Sequence, residues 1–382
     1  MDTSTTTAIT LREPRDLIAW VPYHLGFRPR DSLVLAAVRR TGREFRIGLT
    51  ARLDYPPDTA TGLSQAAANA YAHALDPDRQ ANAVIAIIYS DLNLEEQGDQ
   101  AKASARLLEE ALETAGREAF DVFWVGEHGW GSLLCDDAAC CPARGRPLEQ
   151  LTDSSVSAQM IFAGQVAAAS VAEMLELPAV SEARRESVAK AALLAADWRR
   201  SEIVQGRHEM WAARSIDRWR DAMQRFQNGT EPAASLLGRL AVALCDSWIR
   251  DAVLVDIAGW GGRSGDDEAE PDLVKAVATR GGGPEVTRIA AGIAGALDEP
   301  PAESRLRLAE RLLRHCAACF DDEHRPPCLT VLAWIEWARG HGSAAGHLLD
   351  QALQIDPEYR LAVLMETAVS NALMPAWVMQ PR

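Results

Sequence analysis

The feature that most constrains this chain is an uninterrupted apolar run near its N-terminus, Leu33-Val34-Leu35-Ala36-Ala37-Val38. Such a run has no polar face, so it predicts a strand over Ser32–Val38 covered on both sides. Ahead of it the sequence predicts a helical turn or two over Arg15–Val21, stopped by Pro22 because proline lacks the N–H a helix needs. A knuckle, Tyr23-His24-Leu25-Gly26-Phe27, then turns through Gly26, and Pro29 with Asp31 opens the strand. The following elements have to supply the cover.

They are readable in order. A polar turn at 39–43 leads into Phe45–Asp54, whose alternating pattern suits a half-exposed hairpin strand. Gly62–Leu75 is Ala-rich and helical. Asn82–Tyr89 (NAVIAIIY) and Phe120–Val125 (FDVFWV) are further apolar strands, and a patterned helix over Asp99–Gly116 separates them. That is a βαβ unit with parallel strands, and Gly126–Leu134 folds back as a last hairpin strand. The order ββαβαββ predicts an α/β domain over residues 1–150, with a mixed sheet and helices on at least one face.

Past Pro147 the strand signal stops. A helical region is expected over 151–300, beginning with helices at Val156–Leu177, Ser181–Ala196, Arg200–Phe226 and Ala233–Leu254. Gly259–Asp272, GWGGRSGDDEAEPD, is the most linker-like stretch. Over 301–382 the spacing of Leu332, Ala333, Gly340, Ala345, Leu349, Ala352 and Pro357 matches a tetratricopeptide-type helical hairpin, with Arg360–Ala372 as a capping helix. The expected architecture is therefore α/β followed by an all-α, tetratricopeptide-like region.

Charge limits the partners. The formal charge is −15, which argues against nucleic acid and anionic membrane surfaces, both of which need a clustered basic face. No window is apolar for long enough to read as a membrane span, and the N-terminus lacks the pattern of a signal peptide. A cytoplasmic location with reduced cysteines is the expectation.

The strongest chemical candidate is Cys135-Asp-Asp-Ala-Ala-Cys140-Cys141-Pro142. These thiols follow a predicted strand and could bind zinc, with His128 as a possible fourth ligand. They could equally form a redox disulfide, or simply pack against the sheet edge. His315-Cys316-Ala-Ala-Cys319 has redox spacing but sits on a predicted helix with no βαβ context, so buried core thiols are expected there. Trp211, Ser215, Trp219 and Met223 share one helix face and read as core. The polar knuckle (Arg15, Tyr23, His24, Arg28, Arg30, Asp31) lies at the amino end of its strand and reads as fold-stabilising contacts rather than a ligand clamp.

Other signatures lack required residues. Gly129-Trp-Gly131-Ser132 is followed by Leu134 where a nucleophile elbow needs glycine. His208-Glu209 meets Ala212 where a zinc protease helix needs histidine. The glycines after Trp260 match neither a P-loop nor a dinucleotide loop, and Asp266 to Glu270 lacks the alternation of a calcium loop.

Several segments together resemble a bacterial family known as domain of unknown function 4192. They are Pro22-Tyr-His-Leu-Gly26-Phe-Arg-Pro29-Arg-Asp-Ser32, Trp130-Gly-Ser132-Leu-Leu-Cys135 with Cys140-Cys141-Pro142 and Gly145, Trp248-Ile-Arg250-Asp251, and the Leu332 to Pro357 hairpin. The resemblance spans nearly the whole chain. It implies that the Cys-Cys-Pro loop is a shared feature, and it transfers no activity, cofactor or catalytic residue. With no complete catalytic constellation in view, the expected function is a non-catalytic binding or scaffold protein with a protein partner at the C-terminal helices. The competing expectation is a small-molecule enzyme or metabolite sensor with zinc or redox chemistry at Cys135, Cys140 and Cys141.

Overall fold

The computed structural model describes residues 11, 13–41, 44–55, 62–90, 94–142, 144–260 and 272–379. The Thr-rich start, residues 1–10, and most of the linker-like stretch, residues 261–271, lie outside the described residues. Contacts divide the chain into two compact units, Met1–Met174 and Leu175–Gln380.

The first unit runs α1 (Pro14–Leu25), β1 (Ser32–Thr41), β2 (Glu44–Asp54), α2 (Gln65–His73), β3 (Ala83–Tyr89), α3 (Leu94–Thr114), β4 (Glu118–Val125) and β5 (Trp130–Ser132). Three short helices follow, α4 (Glu149–Thr152), α5 (Ser155–Phe162) and α6 (Val171–Met174). The five strands form one mixed sheet in the order β2-β1-β3-β4-β5. β1 pairs antiparallel with both β2 and β3, β3 and β4 are parallel, and β5 returns antiparallel on β4.

The run that opens the sequence is buried as its composition demands. Leu33 and Leu35 join Val84, Ala86, Ile88 and Trp124 in a core shared with Ala68, Ala105 and Leu108. Val34 and Ala36 point the other way, into a core with Leu17, Ile18 and Val21 of α1. Alternate residues thus fill opposite faces, the period of two that a strand imposes. Each fully buried leucine contributes roughly 1.5–3 kcal/mol.

Two local expectations are corrected. Pro22 does not stop α1, which continues to Leu25 and ends at Gly26 in the left-handed conformation, φ 81°. An interior proline costs on the order of 3 kcal/mol, and the helix face burying Leu17, Ile18 and Val21 offsets it. The helix expected over Val156–Leu177 is broken as well. Gly164, φ 75°, ends the first piece, and Ala168 exchanges backbone hydrogen bonds of 2.9 Å with Gly26 and Arg28. Tertiary pairing with the knuckle wins over helix propensity there. Among the described residues neither Arg28 nor Arg30 forms an ion pair with Asp31, while Arg15 pairs with Glu13 at 3.0 Å and His24 stacks on Trp20 at 4.2 Å.

The described elements of the second unit are all helices: α7 (Glu182–Val204), α8 (His208–Gln227), α9 (Ala234–Leu244), α10 (Ser247–Ala258), α11 (Leu273–Ala278) and α12 (Pro284–Ile293). It continues with α13 (Glu303–Cys319), α14 (Arg325–Ala338), α15 (Gly342–Ile355), α16 (Arg360–Ser370) and α17 (Ala376–Met379). α7 extends past the expected stop at Ala196 and breaks at Gly206 instead, φ 72°. The single helix expected over Ala233–Leu254 is two, because Asp246 caps α10 by accepting from the Trp248 N–H at 3.1 Å. Trp211, Ser215, Trp219 and Met223 are core, as are Cys316 and Cys319. Trp260, Trp334, Trp337 and Trp377 form an edge-to-face cluster with ring centroids 5.6–6.3 Å apart. Among the described residues no helix is long and apolar enough to cross a membrane.

Candidate metal centre

The thiol loop hangs from the edge strand of the sheet. Trp130, the first residue of β5, is buried and exchanges two backbone hydrogen bonds with Arg146, 3.0 and 2.7 Å, so the loop between them is closed at its base. The closure needs glycine at 145. Its φ is +76°, and a Cβ there would lie 2.9 Å from the Trp130 nitrogen. Arg146 then reaches into the loop. Its guanidinium stacks 5.1 Å from the Trp130 ring centroid and donates to the Cys140 carbonyl (2.8 Å) and to Cys140 Sγ (3.0 Å).

The start of the loop is held from the sheet. Ser132 donates to Asp121 Oδ1 of β4 at 2.6 Å, and Ser132 Oγ accepts the backbone N–H groups of Leu134 (3.2 Å) and Cys135 (3.1 Å). Burial raises the Asp121 pKa, against the hydrogen bonds from Ser132 and its own neighbour Val122 that lower it. The far side is a tight turn in which the Asp137 carbonyl accepts from Cys140 (3.0 Å) and Cys141 (2.7 Å). Lys102 of α3 pins the loop from outside through Asp136 at 3.0 Å.

These restraints bring the sulfurs of Cys135, Cys140 and Cys141 within 4.8 Å of one another, a group that could hold a metal ion. Cys140 is exposed, and the other two are half-buried. Burial, reinforced by the neighbouring Cys135 and Cys140 thiols, pushes the Cys141 pKa up to about 11 against a hydrogen bond involving the Ser132 backbone. That thiol is therefore protonated near neutral pH. A metal entering the site has to displace its proton. The suggested fourth ligand is not part of the group: His128 is 87% exposed, and its charged neighbour is Glu127 at 3.9 Å.

The sequence did not single out Arg146 or Asp121, which hold the loop from either side. Nor did it reveal a second charged region, in the helical unit. There Asp256, 5% exposed, accepts from Trp219 Nε1 (3.0 Å), Arg220 Nε (3.2 Å) and Arg305 Nη2 (2.9 Å). Arg220 also grips Asp272 with two hydrogen bonds, 2.6 and 3.0 Å, and Lys275 pairs with Asp217 at 2.6 Å. Asp217, Arg220, Asp256, Asp272, Lys275 and Arg305 line a cavity of about 670 Å³. They are far apart in sequence, so no local motif could announce them.

The mixed five-stranded α/β unit with its thiol loop, and the helical unit behind it in the chain, define the class of protein. A family model described as domain of unknown function (DUF4192) matches residues 14–376, and the chain belongs to that family. No curated protein and no solved structure matches the chain.

Proposed function

We propose that this chain is a zinc-binding protein whose α/β unit holds the ion on Cys135, Cys140 and Cys141. The observation that carries the reading is the closeness of the three sulfurs in a loop closed by the Trp130–Arg146 pair. In a tetrahedral zinc site with Zn–S of about 2.3 Å, sulfurs lie about 3.7 Å apart, so a modest tightening of this loop suffices. Three thiolates favour zinc over magnesium or calcium, which prefer oxygen. With three protein ligands the fourth position is left for water or a small ligand, the arrangement that reactive zinc sites use. The sensor or enzyme reading rests on that position.

The test is a zinc titration of reduced protein followed by calorimetry in two buffers of different ionisation enthalpy. One zinc per chain should bind with release of protons, since Cys141 at least must deprotonate. Binding should strengthen as pH rises, and each of Cys135→Ser, Cys140→Ser and Cys141→Ser should abolish it. Unchanged binding in all three variants would contradict the proposal.

A second reading, a scaffold with a protein partner, is supported by Val363 and Leu364, which are exposed on α16. In that reading α14 and α15 act as a tetratricopeptide-like hairpin. Since α14 is buried from Pro326 to Ala338, the partner would meet the outer surface of α16 instead. A stoichiometric partner lost on Val363→Ser with Leu364→Ser would support it.

A further inference from the structure

We propose that the helical unit carries a separate pocket for a small zwitterion, a molecule of the α-amino-acid type bearing one ammonium and one carboxylate. The pocket is the cavity lined by Arg220, Arg305, Lys275, Asp217, Asp256 and Asp272. Its volume of about 670 Å³ falls in the range that small-molecule sites occupy.

The charges select the ligand. Three cations and three carboxylates line the cavity, so the wall is balanced although the chain carries −15 overall. A simple anion would face Asp217 and Asp272, and a simple cation would face Arg305 and Lys275. A molecule carrying both charges can satisfy both sets, which is electrostatic complementarity acting as specificity.

The groups differ in how far they can exchange. Asp256 is buried, with three donors around it, and is a fixed part of the wall. Asp272 is held in two hydrogen bonds by Arg220; burial raises its pKa, but those bonds outweigh it and keep the carboxyl low. The Lys275–Asp217 pair is more open, with Asp217 56% exposed, and such pairs hold weakly. Arg305 spends Nε and Nη2 on Asp256, while its Nη1 makes no hydrogen bond among the described residues. A ligand carboxylate on Arg305 Nη1 and Lys275, with its ammonium on Asp217, replaces one exposed ion pair by two. Met223 and Leu308 supply apolar wall for the aliphatic part of the ligand.

The experiment is isothermal titration of the full-length chain with pooled common L-α-amino acids, and with acetate and methylammonium as the two half-ligands. The expected result is saturable binding to at least one amino acid, at least about tenfold tighter than either half-ligand. Arg305→Gln and Asp217→Asn should each weaken it by at least about tenfold while the far-ultraviolet circular dichroism stays unchanged. Should Arg305→Gln fail to fold, Lys275→Gln takes its place with the same expectation. Cys135→Ser should leave the affinity unchanged. Absence of binding from every pool at millimolar concentration would overturn the proposal, as would acetate binding equally well or full affinity in the charge variants.

Discussion

In the α/β unit the candidate site groups are three thiols drawn from seven consecutive residues. In the helical unit they are six charged side chains drawn from α8, α10, α11 with its cap, and α13. The thiols are held near one another by other groups: the Ser132 hydroxyl, the Asp137 carbonyl and the Arg146 guanidinium. The charged residues hold one another. For a thiol cluster of the first kind, an entering metal ion would supply binding energy that also counts as folding energy. In a network of the second kind, removing one partner leaves an uncompensated buried charge, which is costly. The comparison separates a cluster gathered by its surroundings from a wall that holds itself, and each half can be broken on its own.

The largest effect is expected in the helical unit. Asp256→Ala leaves Arg305 Nη2, Arg220 Nε and the Trp219 indole N–H without their acceptor, a loss of about 3–5 kcal/mol visible as a lower urea midpoint. Glu336, also buried, pairs with Arg339 at 2.9 Å and His341 at 2.8 Å, and Glu336→Ala should cost a similar amount. Its pH signature follows from its surroundings. Burial alone would raise the Glu336 pKa, but the hydrogen bond and charge of His341, with those of Arg339, outweigh it and hold the carboxyl below its ordinary 4.5. A folded pKa below the unfolded one gives stability that is present above about pH 4.5 and is lost as the pH falls through the folded value. Glu336→Gln should therefore flatten the acid limb of a stability–pH curve.

The next effect belongs to the thiol loop. Zinc at one hundred times its dissociation constant should stabilise the protein by about 2.7 kcal/mol, read as a shift in melting temperature that a chelator reverses. Gly145→Ala sharpens the point, since it forces a Cβ against the Trp130 backbone at a left-handed φ and should cost about 1–3 kcal/mol. It should weaken zinc binding while leaving all three thiols in place. If the loop's closure does not matter for the ion, Gly145→Ala will bind zinc like the parent. The smallest effect is on α16, where Val363→Ser with Leu364→Ser should change stability by no more than about 0.5 kcal/mol per site, because both side chains are exposed.

What the sequence disclosed follows the same division. The buried strand, the parallel βαβ pair and the thiol loop were legible because their residues are neighbours in the chain. Leu33 to Val38 declare two-sided burial by composition alone. Cys135, Cys140 and Cys141 fall close enough together that one loop can gather them. Pro22 misled because its local penalty is visible in sequence and the packing of Leu17, Ile18 and Val21 that overrides it is not. The break at Gly164 was missed for a similar reason, since the hydrogen bonds of Ala168 to Gly26 and Arg28 join residues some 140 apart. Arg220, Asp256 and Arg305 carried no signal for the same physical cause. Each looks like an ordinary charge on a helix until the fold sets it beside the others.

The most direct test of the account is X-ray absorption at the zinc edge on protein loaded with one equivalent of zinc. The thiol loop predicts three sulfur neighbours at about 2.3 Å and one lighter atom, with the sulfur shell collapsing in Cys140→Ser. A shell of oxygen and nitrogen alone, identical in the parent and in Cys140→Ser, would show that the loop is not the metal centre.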